Sequence, residues 1–161
     1  MSLLKPHLLW TTCCGNSYEL NKASIQAKYL SGRFRTEKLL AKFSSSNSEF
    51  CQLHPSTETV GDLYHHLIFC EALQDRRQAL FEYWKKISSE NRTAYNILTE
   101  AICLPPDIFL QFILDCSALP HVISAADAHG STLYYILFKA TRTYCYSMYR
   151  TRKNLLGQWL N

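Results

Sequence analysis

Two cysteines and two histidines near the middle of the sequence have the spacing of a metal site. Cys51 and His54 form a close pair, and ten residues later His65 and Cys70 form a second pair with four residues between them. Zinc favours four soft or borderline ligands in a tetrahedron, which thiolates and imidazoles supply. The pattern predicts a knuckle-like zinc site with the ligands Cys51, His54, His65 and Cys70. His66 could replace His65, because both spacings occur in such sites.

The second ligand of this set is unusual, and three interpretations remain open. Close ligand pairs at zinc usually begin Cys-x2-Cys or Cys-x4-Cys, whereas this sequence has His54 and Ser56 at those positions. The segment can be a working zinc site, or a decayed site that kept its shape and lost the metal. The third interpretation is that Cys70 is an ordinary core residue, since a free cysteine behaves as a small hydrophobe.

The remaining composition argues against a secreted protein, a membrane protein and an enzyme. Seven cysteines without a regular framework indicate reduced thiols in the nucleus or cytoplasm. Met1–Trp10 makes a poor signal peptide, and the apolar runs are too short and too often interrupted by charge to cross a membrane. No nucleophile–base pair, paired Asp-Asp or other carboxylate set is recognisable, so no catalysis and no small-molecule substrate are expected.

Positive charge is concentrated at the two ends of the chain, although the net charge is only +4. Seven basic residues precede position 49, against Glu19 and Glu37, and five basic residues without any acid follow Asp127. Basic ends around an acidic centre indicate phosphate contacts. Ordinary solvated helix faces are the alternative.

The spacing of apolar residues predicts a mainly α fold, with a small knuckle-like loop and turn segment near residues 50–70. We expect a basic helical segment over 1–47, the knuckle over 48–73 and a helical segment over 74–161, together forming one compact unit. Predicted helices cover 17–30, 35–43, 62–87, 93–103 and 107–116, and a short turn is predicted at 120–123. A last helix over 130–155 should bury Leu133, Leu137, Tyr144 and Met148. The same helix should expose Lys139, Arg142, Tyr146, Arg150 and Lys153.

Several segments, in order, are similar to one protein family. They are AKYLSGRFRT at 27–36, Cys51 with GDLYHHLIFCEAL at 61–73, FILD and LPHVI at 112–123, TRTYCYSMYR at 141–150, and LLGQW at 155–159. They resemble the region that follows the polymerase in LINE-type (non-LTR) retrotransposon reverse transcriptases, and the resemblance covers roughly residues 7 to 160. Cys51, His65 and Cys70 match the family's ligand positions, whereas its second cysteine falls near His54 or Ser56. The polymerase centre has no counterpart in this chain.

The resemblance implies an accessory module that binds RNA or DNA and has no polymerase or endonuclease centre of its own. Basic side chains interleaved with aromatic ones suit such a module, because they neutralise phosphates and stack on bases. The residues expected to bind are Arg33, Arg35, Lys38, Arg142, Tyr146, Arg150 and Lys153. A helical protein-interaction domain, or an inert remnant of a degenerate element, is the alternative.

Overall fold

The computed structural model describes residues 7–54 and 56–157, and this part of the chain is mainly helical, as predicted. Lys5 and the Gln158-Trp159 end of the last motif lie outside the described residues. The α-helices are α1 (Leu8–Thr11), α2 (Ser17–Leu30), α3 (Glu37–Ala41), α4 (Gln74–Ile87), α5 (Arg92–Ala101), α6 (Pro106–Asp115), α7 (Pro120–His129) and α8 (Ser131–Leu155). A π-helix (His65–Phe69) and a 3-10 turn (Glu71–Leu73) precede α4, and a second 3-10 turn (Cys116–Ala118) follows α6.

Polar side chains cap the first turns of several of these helices. The Asn16 side chain accepts hydrogen bonds from the backbone N–H groups of Tyr18 and Glu19 and so caps α2. Thr36 caps α3 and Asn91 caps α5 in the same way. Each cap satisfies backbone donors that the first helical turn leaves unpaired, and α2 therefore begins where the sequence predicts.

The last helix, α8, is the central element of the fold. It packs on α2, α4, α5, α6 and α7, and Leu133, Leu137, Tyr144 and Met148 are at most 1% exposed. This confirms the predicted length and apolar face of the helix. The Trp84 indole donates to the Ala140 carbonyl oxygen at 3.2 Å, which fixes α4 against α8.

Two predicted elements differ from the structure. The segment predicted as a turn at 120–123 begins a ten-residue helix, α7, because proline suits the first helical position, where no N–H is needed. The helix predicted over 62–87 is interrupted at Cys70, whose ψ of 112° is not helical. The interruption separates the π-helix from α4.

One segment has the length and composition of a membrane span, which differs from the sequence-based expectation. Residues Pro106–His129 pass that test. The segment consists of the ten-residue helices α6 and α7, separated by a 3-10 turn. Phe112, Ile113 and Val122 are fully buried in the protein core, so core packing accounts for part of the apolar composition.

Candidate metal centre and basic groove

The predicted knuckle is a small loop closed by backbone hydrogen bonds. Phe50 and Val60 form an isolated antiparallel bridge. The Cys51 N–H donates to the Thr59 carbonyl oxygen at 2.7 Å, and the His54 N–H donates to the Cys51 carbonyl oxygen at 3.1 Å. The loop thus presents Cys51 and His54 on one tight turn, facing the start of the next helical segment.

Three of the four predicted ligands converge. One potential ligand atom from each of Cys51, His65 and Cys70 lies within 4.8 Å of the others, and all three residues are buried. Bond lengths of about 2.0–2.3 Å in a tetrahedral zinc site place neighbouring ligand atoms roughly 3.5–3.8 Å apart. The three side chains can therefore hold a metal ion after small adjustments.

The imidazole of His65 is in the form that binds a cation, whereas the Cys70 thiol must first lose its proton. Burial and the neighbouring Cys51 raise the pKa of the Cys70 thiol to about 11. Burial and the neighbouring histidines lower the pKa of His65, so its imidazole is neutral at neutral pH. The Nε2 atom of His65 is buried without a hydrogen-bond partner. A bound metal ion would displace the thiol proton and would give the unpaired Nε2 atom of His65 a partner.

His54 stands apart from the other predicted ligands. Its Nε2 atom lies 3.4 Å from the Cys70 sulphur and accepts a hydrogen bond from the Ala72 N–H at 3.2 Å. It is only partly buried and does not belong to the group in which all ligand atoms lie within 4.8 Å. The structure thus brings His54 to the edge of the site, while Ser56, the other candidate for the second position, is exposed.

His66, the alternative to His65, has a different partner. Its Nε2 atom lies 2.7 Å from Oε2 of Glu37, and both side chains are almost completely buried. The other oxygen of Glu37 accepts from the Gln52 N–H at 3.1 Å and pairs with Arg152. Glu37 therefore ties the knuckle to α3 and α8.

Glu37 was not among the residues predicted to be functional, although an acidic residue in a strongly basic segment is a usable signal. Burial raises its pKa, but the hydrogen bond from His66 and the positive charge of Arg152 outweigh burial and lower the pKa to about 2. Gly61 lies against the same carboxylate. A Cβ atom at position 61 would be 2.6 Å from Glu37 Oε2, so a larger residue there would displace the buried Glu37 side chain.

A basic groove of about 550 Å³ runs between the end of α2 and the end of α8. The residues that line it are Ile25, Lys28, Arg33, Phe34, Arg35, Tyr149, Arg152 and Lys153. Five of them are cationic and none is acidic. Phe34 stacks on Tyr29 at 4.0 Å between ring centroids and meets Tyr149 edge-on at 5.9 Å. The groove combines positive charge with aromatic surface, and Lys28 and Arg152 are members that sequence analysis missed.

The other predicted binding residues lie in neighbouring pockets. Lys38 lines a shallow pocket on the other side of Phe34. Arg150 and Tyr146 line a third pocket, and Nη1 of Arg150 donates to the Tyr146 hydroxyl at 3.2 Å. The predicted set is therefore spread over the loop after α2, the start of α3 and the second half of α8.

The predicted exposure of Arg142 is wrong. Its side chain is completely buried. The guanidinium pairs with Glu19 at 3.0 Å and donates to the Thr12 hydroxyl at 2.6 Å. Helices α1 and α2 cover this part of α8, and the carboxylate of Glu19 compensates the buried charge. Arg142 is thus a structural residue and cannot contact a phosphate in this fold. The other four residues that were expected to face water are half-buried: Lys139, Tyr146, Arg150 and Lys153.

No protein-family model matches this chain, and no match was found among curated proteins or among solved structures.

Proposed function

We propose that this protein is a nucleic-acid-binding module without a polymerase or endonuclease centre of its own. The observation that carries the proposal is the basic groove, where five cationic side chains and no carboxylate surround a partly buried pair of aromatic rings. Lysine and arginine neutralise phosphates, and rings accept stacked bases. The resemblance to the C-terminal region of LINE-type reverse transcriptases supports the same function.

The charge balance within the groove favours an anionic chain as the ligand. Arg152 is paired with Glu37, whereas Lys28, Arg33, Arg35 and Lys153 have no carboxylate partner in the described part of the protein. Arg33 and Arg35 are exposed on the loop after α2, and Lys153 lies across the groove on α8. Four uncompensated charges on facing walls suit successive phosphates of one strand.

We further propose that the knuckle holds a zinc ion. Two thiols and a neutral imidazole form a donor set that binds zinc in preference to magnesium or calcium. The ligands come from the loop at Cys51, the π-helix at His65 and its end at Cys70. A metal ion would cross-link these segments. Glu37, which pairs with both His66 and Arg152, would then hold the wall of the groove against the ordered knuckle.

Salt dependence of binding tests the nucleic-acid proposal. Fluorescence anisotropy with a labelled single-stranded RNA would measure affinity for the whole chain at several salt concentrations. Replacing Arg33 and Arg35 together by alanine should reduce the salt slope by about two units, since each lost phosphate contact removes roughly one. The matched control replaces Lys86 and Arg92, which are exposed and do not line the groove.

An acidic protein segment is the second candidate ligand, because the same groove charge would attract it. Two results would favour that candidate. One is an equal salt slope of RNA binding in the Arg33/Arg35 variant and the Lys86/Arg92 variant. The other is displacement of RNA by poly-glutamate at equal charge concentration. Purified protein should also show no magnesium-dependent primer extension or nuclease activity, since two-metal chemistry needs clustered carboxylates. Activity that depends on one aspartate would contradict the proposal.

A further inference from the structure

The fourth ligand position of the metal centre differs from the other three in burial and in bonding. Cys51 and Cys70 are fully buried and His65 is 7% exposed. His54 is half-buried, and its Nε2 atom already accepts the Ala72 N–H. An imidazole nitrogen has one lone pair in the ring plane, so it either accepts that hydrogen bond or binds a metal ion.

A pocket gives this position access to solvent. It has a volume of about 180 Å³ and is lined by His54, Thr57, Thr59, His65, Phe69 and Glu71. Two of the lining residues are thus the two histidines of the candidate centre. Structural zinc sites are closed by four protein ligands, whereas sites that bind exogenous molecules keep an open position. The pocket places that position next to His54.

We infer that the metal centre has one exchangeable ligand position, which His54 and a small neutral nitrogen donor entering through the pocket occupy in turn. In the exchange the bond between the metal ion and His54 Nε2 breaks, and a bond to the donor nitrogen forms. The released lone pair accepts the Ala72 N–H again, at the 3.2 Å distance seen here. No proton or electron is transferred, and no buried hydrogen-bonding group is left unpaired.

The pocket favours a neutral donor over an anion. Glu71 contributes an exposed carboxylate to its lining, which repels anions such as azide. Thr57 and Thr59 offer hydroxyl groups, which are hydrogen-bonded to each other at 3.0 Å and can also bind the second nitrogen of an azole ring. Imidazole has the required size, charge and donor atom.

Cobalt substitution provides the test, because the visible bands of Co²⁺ report its donor atoms. Titrating imidazole into the cobalt-loaded full chain should shift the bands saturably with one imidazole per cobalt. Azide should do so more weakly. Gel filtration followed by metal analysis would show that cobalt stays bound throughout.

Two substitutions at position 54 make the test specific. His54→Ala should retain cobalt and reach the same final spectrum at roughly tenfold less imidazole, because the intramolecular competitor is gone. His54→Cys creates the Cys-x2-Cys spacing of closed sites and should make the bands insensitive to imidazole.

Three outcomes would overturn the inference. One is a wild-type spectrum that imidazole leaves unchanged while cobalt remains bound. Another is the same imidazole dependence in wild type and His54→Ala. The third is failure to bind cobalt or zinc stoichiometrically, which would also remove the proposed zinc centre on which this inference rests. Loss of RNA binding alone would not affect it, since the groove is a separate surface.

Discussion

Oε2 of Glu37 lies 2.7 Å from Nε2 of His66, and both side chains are withdrawn from water. The residue before His66 is a candidate metal ligand, and the other oxygen of Glu37 pairs with Arg152 in the wall of the basic groove. One buried carboxylate therefore connects the two candidate functional surfaces of the molecule.

Replacing Glu37 by glutamine should destabilise the protein at neutral pH. The folded-state pKa of about 2 lies below the ordinary value of 4.5, so the carboxylate stabilises the fold above pH 4.5. That contribution is lost as the pH falls from 4.5 towards 2, and a shift of this size corresponds to about 3 kcal/mol. Urea unfolding at pH 7 and at pH 3 would measure it. An equal loss of unfolding free energy at pH 7 and at pH 3 would contradict the lowered pKa of Glu37.

Metal affinity should increase with pH. The Cys70 thiol, with a pKa of about 11, is protonated throughout the neutral range. Metal binding must release that proton, so the apparent affinity should rise by about tenfold per pH unit from this group alone. Competition with a chelator of known affinity between pH 6 and pH 8 would measure the slope. Cys70→Ser should weaken binding, whereas Cys103→Ser, at an exposed cysteine, is the matched control.

Arg142→Ala should lower stability and leave the salt dependence of RNA binding unchanged. Removal of the guanidinium leaves the Glu19 carboxylate poorly compensated, at a cost of about 3–5 kcal/mol. Arg142→Lys keeps the charge and should cost less. Thermal unfolding and anisotropy on the same samples separate the two effects. A reduced salt slope in folded Arg142→Ala protein would return this residue to the binding surface.

Tyr146→Ala tests base stacking beside the groove. The half-buried ring lies 5.8 Å from the Arg150 guanidinium and is partly accessible from the pocket on that side. If a base stacks on the ring, the alanine variant should bind single strands about 1–3 kcal/mol more weakly, with little change in salt slope. Tyr146→Phe keeps the ring and should bind like wild type. Identical affinities for all three proteins would exclude stacking at this position.

Local signals explain what the sequence predicted correctly. Asn16 caps α2 through atoms two or three residues away, and the apolar stripe of α8 follows from helical periodicity. The ligand spacing likewise predicted that Cys51 and Cys70 would meet. Each of these relationships is visible within a short stretch of chain.

Contacts between distant segments explain what the sequence left open. Arg142 is buried because Glu19, 123 residues earlier, lies opposite it, and no pattern within α8 indicates that pairing. The pairing of Glu37 with Arg152 spans 115 residues. The break at Cys70 also escaped prediction, since the surrounding residues favour a continuous helix. Charge pairs between distant residues and irregularities of the backbone can be recognised only in the folded structure.

The close packing of Gly61 against Glu37 restricts how this sequence can drift. Any side chain at position 61 would collide with the carboxylate of Glu37. A shorter residue at position 37 would still leave the Cβ atoms of residues 37 and 61 only 3.0 Å apart. A side chain at position 61 therefore moves the carboxylate away from Arg152 and His66, which lose a buried partner. A substitution at position 61 would therefore act at a distance, since it weakens the link between the knuckle and the wall of the groove without touching either candidate site.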